Sequence, residues 1–310
     1  MRVSDKTIYT NFLSSYETSA TKMQKTLEQL STEKQVNSAS DDPVAASQII
    51  NLKSAVAENS MYASTISSAT SWNEAQDSAL ESISDVMLRM RTLVEEAANG
   101  TNTTNDDATI KDEVQEDIKQ VVSTLNTKFG DSYLFGGENT TTQPFTLETD
   151  DDGNITGLTY NGTDQNLSRQ ISDGVSVDLF ANGSKFLTAS NSSDTSSTTT
   201  TLGSYFGNLV SALNSGDQSA LGSDLLGETD DFRDNFVNIR STIGTLTDRL
   251  NSAASVNSSQ QTNLKESLSN VQDVDIASAY TQFVQEKTAY QATLAMGSKI
   301  MQLNILDYMD

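Results

Sequence analysis

The chain of 310 residues contains no cysteine and no histidine. Without cysteine it cannot form a disulfide framework, a thiolate metal site or a cysteine nucleophile. Without histidine it lacks the commonest general base and the commonest metal ligand, which excludes Ser-His-Asp catalysis, Cys-His catalysis and the usual zinc sites. An enzyme of this composition would depend on carboxylates, lysine, tyrosine or serine. We therefore expect no enzyme, and no catalytic residue, cofactor-binding residue or metal ligand.

Long apolar runs are missing as well. No stretch approaches the roughly 18 apolar residues of a membrane span. Residues 1–13 lack the basic start, the continuous apolar run and the small-residue cleavage site of a secretory signal peptide. The sequence therefore predicts no membrane partner, and any export would use a route without a cleaved signal.

Positive charge is scarce, with 19 Lys and Arg against 42 Asp and Glu and a net charge of -23. This balance argues against a nucleic-acid partner, because neutralising phosphates requires clustered basic residues. Residues 1–34 and 276–310 together carry seven basic and seven acidic side chains, so the whole excess lies in residues 35–275. The pattern predicts buried, neutral ends and a solvated, acidic middle.

Apolar side chains recur at alternating three- and four-residue steps at both ends of the chain. This spacing is typical of helices that supercoil together, so the two ends are expected to pair. The C-terminal segment has a second apolar set beside the first, which one partner helix cannot cover. It is buried either within its own domain or by neighbouring copies. The predicted assembly interface consists of Tyr9, Leu13, Tyr16, Met23, Leu27, Leu30, Tyr280, Phe283, Tyr290, Leu294, Ile300, Met301, Leu303 and Leu306.

The middle of the chain reads as helices on either side of a β-rich segment. Asp42 and Pro43 predict the start of a long helix that ends at Asn99 and Gly100, although its apolar stripe thins between residues 70 and 77. A shorter helix is predicted from residue 105, and helical spacing returns at residues 205 and 224. Short strand-like runs separated by glycine turns occupy residues 133–135, 144–147, 155–160 and 175–180.

Two segments of the β-rich region have further interpretations. Residues 148–153 resemble part of a calcium loop, but the required ligand types are missing at its first and last positions, so a hairpin turn is the better interpretation. Residues 190–201 are almost entirely Ser, Thr, Asn and Asp, which predicts an exposed linker.

The predicted fold class is mainly α, with paired terminal coiled-coil helices, an elongated antiparallel helical bundle and a small inserted β domain. The predicted domains are a terminal-helix assembly core at 1–40 and 274–310, a helical bundle at 41–137 and 203–273, and a β-rich outer insertion at 138–202.

Several motifs resemble those of bacterial flagellins and flagellar hook-associated proteins. The N-terminal signature spans residues 30–46, and the other matches are RMRTL at 89–93, RSTIG at 240–244, VQDVD at 271–275, YQA at 290–292 and LNILDYM at 303–309. Glu33 stands where the family usually has glycine, which favours continuation of the terminal helix toward Asn37. Arg89 and Arg91 form either surface salt bridges or intersubunit contacts.

The resemblance implies a structural axial protein of the bacterial flagellum. Its function would be that of a junction adaptor between the first hook-associated protein and the flagellin filament; the alternative is a minor flagellin. The resemblance also implies contacts with other copies, a cytosolic export chaperone, type III export and an extracellular location at the hook-filament junction. An unrelated cytosolic coiled-coil protein and an acidic enzyme are the remaining alternatives.

Overall fold

The structure is a computed structural model that describes residues 2–99, 103–188 and 200–306; for residues 2–5, 104–105 and 300–306 it describes the backbone alone. Its contacts divide the chain into two compact units. The terminal unit comprises residues 1–60 and 259–310, and the central unit comprises residues 61–258. The predicted three-part division into assembly core, bundle and insertion stays a prediction.

Helices account for most of the described chain, which confirms the mainly α class. Seven α-helices are numbered in chain order: α1 (Arg2–Thr32), α2 (Pro43–Ala98), α3 (Thr104–Leu125), α4 (Leu202–Ser215), a single turn α5 (Gln218–Ala220), α6 (Leu226–Gln272) and α7 (Ile276–Leu306). A 3-10 turn covers Gly183–Phe186 and a π-helical turn covers Leu221–Leu225.

The core of the central unit is formed by the apolar faces of α2, α3, α4 and α6. Ile83 and Met87 of α2, Ile118 of α3 and Phe232 of α6 are among its fully buried residues. A buried Leu, Ile, Phe or Met side chain stabilises a fold by roughly 1.5–3 kcal/mol, so this core holds the central unit together without disulfides or metals.

The apolar stripe of α2 thins at residues 70–77 because buried polar side chains replace apolar ones there. Asn73 and Gln76 are buried polar residues, whereas Trp72 beside them belongs to the hydrophobic core. The side-chain amide of Gln76 donates to the carbonyl oxygens of Leu134 at 3.1 Å and Phe180 at 2.5 Å. The helix is therefore continuous, and its polar positions anchor the β-rich segment.

The β-rich segment consists of three two-stranded antiparallel sheets. Their strands are β1 (Lys128–Phe129) with β2 (Ser132–Tyr133), β3 (Phe145–Thr149) with β4 (Ile155–Tyr160), and β5 (Leu167–Ser172) with β6 (Val175–Leu179). The Asp152-Gly153 and Asp173-Gly174 turns close the second and third hairpins, with both glycines at positive φ. The sequence pattern missed β1 and β5, and most of the predicted linker at 190–201 lies outside the described residues.

The end of α1 corrects one prediction. The helix does not continue toward Asn37 but ends at Thr32, and Glu33 adopts a left-handed φ of 58°. The left-handed residue turns the chain so that its backbone can pair with the end of α6 and the connection to α7: the Glu33 carbonyl accepts from Val274 N–H at 3.1 Å, and Gln35 N–H donates to the Gln272 carbonyl at 2.8 Å. Left-handed residues of this kind are common just past helix ends.

Candidate assembly interface

The terminal helices α1 and α7 form an antiparallel pair, which confirms that the two ends of the chain meet. Along the contact between them, called the seam here, the hydroxyl of Thr26 donates to Glu286 Oε2 at 2.6 Å. Thr26 is only 2% exposed. The seam, predicted to be apolar, therefore contains a carboxylate.

Aromatic residues complete the seam toward the chain termini. The hydroxyls of Tyr16 and Tyr290 lie 3.2 Å apart and their ring centroids 5.4 Å apart. The hydrogen bond with Tyr16, together with burial, raises the pKa of Tyr290. One turn further on, the Phe12 ring packs directly over the backbone of Gly297, and a Cβ atom at that position would overlap the ring. The Phe12 ring therefore fills the space that a side chain at position 297 would occupy.

The predicted interface residues separate into two groups. Tyr16, Met23, Leu30, Phe283 and Tyr290 are half-buried and recur at the spacing of the seam. The remaining described residues are exposed even though they belong to the same sequence stripe: Tyr9, Leu13, Leu27, Tyr280 and Leu294. The side chains of Ile300, Met301, Leu303 and Leu306 lie outside the described residues.

The exposed group lies together on one flank of the helix pair. At 100° per residue, Tyr9, Leu13 and Leu27 fall to one side of the α1 seam, and Tyr280 and Leu294 fall to the same side of the antiparallel α7. Ile276 joins them, and we call these six residues the apolar face. Their exposed fractions run from 41% to 61%. Several large exposed apolar side chains on one flank are typical of a site of protein interaction.

The opposite flank of the pair is mixed in chemistry, because Ala289 lines its groove and the exposed Met296 follows on the same face of α7. A groove of about 900 Å³ runs between the helices there, and Thr18, Lys22, Ser278, Gln282 and Gln285 are among its lining residues. The two flanks differ in chemistry although they belong to the same two helices. Most of the large exposed apolar side chains of the pair therefore lie on one side.

The loop between α1 and α2 is held by its two adjacent aspartates. Asp41 accepts from the Ser38 N–H at 2.9 Å and pairs with the Lys25 ammonium at 3.0 Å. These interactions, with the Lys25 bond the largest, lower the pKa of Asp41. Asp42 accepts from the N–H groups of Val44 and Ala45, both at 3.0 Å, and so caps α2 as its position before Pro43 predicts.

Arg89 and Arg91 both form ion pairs within the central unit. Arg89 binds the buried carboxylate of Asp117 on α3, and Arg91 binds Asp230 on α6 through Nε at 2.9 Å. These carboxylates raise the pKa of both guanidinium groups. The pairs fasten α2 to its neighbours, and a contact between subunits at either arginine stays a prediction.

The described residues were also compared with the requirements of a metal site and of a membrane span. Within the described residues, no group of three or more acidic side chains is placed to hold a metal ion. None of the described helices is long and apolar enough to cross a membrane. The described chain is thus a mainly helical protein whose terminal pair has an apolar face that no described residue covers.

Comparisons with known proteins agree with this class. The model of the bacterial flagellin N-terminal helical region matches residues 3–140, and that of the C-terminal helical region matches residues 226–309. Together they match more than two thirds of the chain. The chain belongs to the bacterial flagellin family.

Similar proteins within this family include flagellar hook-associated protein 3 of Salmonella typhimurium, which is 26% identical with 98% of this chain and 100% of the relative covered. The protein of the same name from Escherichia coli is 27% identical, with 94% and 95% covered. A solved structure of a putative flagellar hook-associated protein from Vibrio parahaemolyticus shares the fold at a TM-score of 0.65 and 20% identity, covering 75% of this chain and 100% of that one. The flagellar junction protein FlgL from Legionella pneumophila shares it at 0.57 and 15%, covering 73% and 99%.

Proposed function

We propose that this chain is a structural axial protein of the bacterial flagellum, the junction adaptor between the first hook-associated protein and the flagellin filament. The observation that carries the proposal is the apolar face of the terminal pair, which no part of the described chain covers. Relatives aligned over nearly their full length are named flagellar hook-associated protein 3. That name favours the junction adaptor over a minor flagellin.

The mechanism we propose is mechanical and not enzymatic. Burying large apolar side chains such as Tyr9, Leu13, Leu27, Tyr280 and Leu294 between copies would supply most of the free energy of assembly, at about 25 cal/mol per Å² of apolar surface removed from water. The ion-paired central unit would stay folded during assembly. In this proposal residues 1–40 and 274–310 are the assembly core, 41–137 and 203–273 the bundle, and 138–202 the outer insertion.

The proposal includes the remaining partners and the location. The adaptor contacts further copies of itself, the first hook-associated protein on one side and flagellin on the other, and a cytosolic chaperone accompanies it before export. It reaches the hook-filament junction without a cleaved signal peptide. A chain without cysteine suits passage through a narrow channel in an unfolded state.

Deleting the gene tests this function. The adaptor predicts finished hooks without filaments, with flagellin lost into the medium, and restoration of filaments when the gene is returned. Normal filaments in the deletion strain would contradict the proposal. Filaments that form but differ in length or stiffness would instead favour a minor flagellin.

A further inference from the structure

We propose that two seam contacts, Thr26 with Glu286 and Phe12 with Gly297, determine the register of the terminal helix pair. Apolar stripes alone do not define one register. Side chains at heptad spacing meet equivalent side chains again after a shift of seven residues. A single alignment therefore requires residues that fit one position along the partner and no other.

The Thr26–Glu286 contact excludes a slip in one direction. Glu286 has both carboxylate oxygens occupied, with Thr26 on Oε2 at 2.6 Å and Gln282 Nε2 on Oε1 at 2.9 Å. A seven-residue shift toward the end of α1 would carry Glu286 past Thr32, the last residue of that helix, and would leave its Oε2 without the Thr26 hydroxyl. Polar residues at seam positions specify register at some cost in stability, because their misplacement leaves a desolvated group without its partner.

The Phe12–Gly297 contact excludes a slip in the other direction. A seven-residue shift that brings Glu286 opposite Ser19 also moves Phe12 from Gly297 to the position opposite Tyr290. At Gly297 the ring occupies the space of the missing side chain, whereas Tyr290 fills its own position with a ring. Overpacking of this kind is destabilising.

The other contacts between α1 and α7 discriminate less between alternative registers. Backbone hydrogen bonds join residues 33–35 to residues 272–274 at one end of the pair. Because backbone groups are the same at every residue, these bonds do not depend on which side chains are present. The apolar face does not contribute to the seam. Its composition nevertheless depends on the register, since α1 and α7 each supply part of it. A slipped pair would present a different surface to a neighbouring copy, and this consequence rests on the proposed function.

Photo-oxidative cross-linking of the full-length monomer tests the register directly, because it joins tyrosine rings that are in contact. The observed register predicts a Tyr16–Tyr290 product, identified by mass spectrometry of the linked peptides. The slip that moves Phe12 opposite Tyr290 predicts a Tyr9–Tyr290 product in its place. The ratio of these two products is the measured quantity, and absence of the Tyr16–Tyr290 product from the unsubstituted protein would overturn the proposal.

The double variant Thr26→Val with Glu286→Leu removes the polar contact and keeps the seam apolar. We expect the ratio of the two products to fall by about tenfold, the size of one charged hydrogen bond, with helix content unchanged. The matched control is Thr21→Val with Gln285→Leu, which introduces the same two side chains in place of a threonine and a neutral polar residue, at exposed positions of the same helices outside the seam. An unchanged ratio in the seam variant, or an equal fall in the control, would overturn the proposal.

Gly297→Ala tests the second contact. Its added methyl group should lower the yield of the Tyr16–Tyr290 product, and Phe12→Ala in the same chain should restore it. Failure of this rescue would overturn the assignment of Phe12 and Gly297. The cross-linking measurements need no assembly, so their failure leaves the proposed function standing, whereas normal filaments in the deletion strain would overturn the function and leave the register intact.

Discussion

At the scale of single residues, Glu33 has the least favourable backbone conformation. It is the one residue other than glycine at positive φ in the described part of the chain. A left-handed conformation costs a residue with a Cβ atom roughly 1–2 kcal/mol. Glu33 nevertheless adopts it because the connection after α1 must turn to pair with residues 272–274.

Glu33→Gly should therefore stabilise the terminal unit by about 1 kcal/mol. Amide hydrogen exchange provides the measurement, since the N–H groups of Gln35 and Val274 are donated across this connection and should become better protected. Glu28→Gly, inside α1, is the control and should destabilise the same unit. Equal or weaker protection in Glu33→Gly would show that the left-handed conformation is not strained.

Asp41 adds a pH dependence to the loop between α1 and α2. The bond with Lys25 lowers its pKa below the unfolded value of 3.8, so the carboxylate contributes stability above that value and loses it as the pH falls through the folded pKa. Asp41→Asn should therefore weaken the terminal unit at neutral pH. In an acid titration of unfolding, the difference between variant and unsubstituted protein should shrink to zero. A difference that persists in strong acid would exclude the carboxylate as its source.

At the scale of secondary-structure elements, two glycines allow α4 to pack on β4. A Cβ atom on Gly203 would meet the backbone of Leu158, and one on Gly207 would overlap the carbonyl of Thr156. These glycines are four residues apart and therefore share one face of the helix. The strand backbone lies against that face, and this contact fastens the second hairpin to the helical core.

Gly207→Ala should destabilise the central unit by roughly 1–3 kcal/mol through overpacking. Gly244→Ala is a matched control, because a Cβ atom there enters open space in the interior of α6. The control should be stabilising by roughly 0.5–1 kcal/mol, the helix preference of alanine over glycine. Denaturant unfolding of both variants measures the opposite signs, and a neutral Gly207→Ala would mean that α4 and β4 can separate without cost.

At the scale of the whole molecule, folding and assembly use different surfaces. The core of the central unit is completed within one chain, whereas the apolar face of the terminal pair is not covered by the described chain. A change on that face should thus affect assembly and leave the central unit intact.

Leu294→Asp tests this separation. A carboxylate buried without a partner at an interface costs several kcal/mol, so assembly should fail, while thermal unfolding of the central unit should stay unchanged. Gln285→Asp adds the same charge to the polar groove of the same helix and should assemble normally. Filament assembly in a complemented deletion strain and calorimetry of the purified monomers give the two readouts. Assembly of Leu294→Asp would exclude Leu294 from the interface.

The sequence by itself determined the helices, the pairing of the two ends and the mainly α class, because three- and four-residue spacing is a local property of the chain. It also located two hairpin turns through their Asp-Gly pairs. It missed β5, whose outward side chains are polar and leave only Leu167 and Ile171 as an apolar signal. It also misjudged Glu33, since the need for a turn arises from residues 272–274, far along the chain.

Only the tertiary structure decided which side chains of each stripe meet and which remain outside. A heptad stripe is wider than one seam, and spacing alone cannot give the rotation of each helix about its axis. That rotation places Tyr16 and Tyr290 in contact and leaves Leu13 and Leu294 exposed. It follows from long-range contacts such as Thr26 with Glu286 and Phe12 with Gly297, in which a polar residue and a glycine select the alignment that the apolar pattern leaves open.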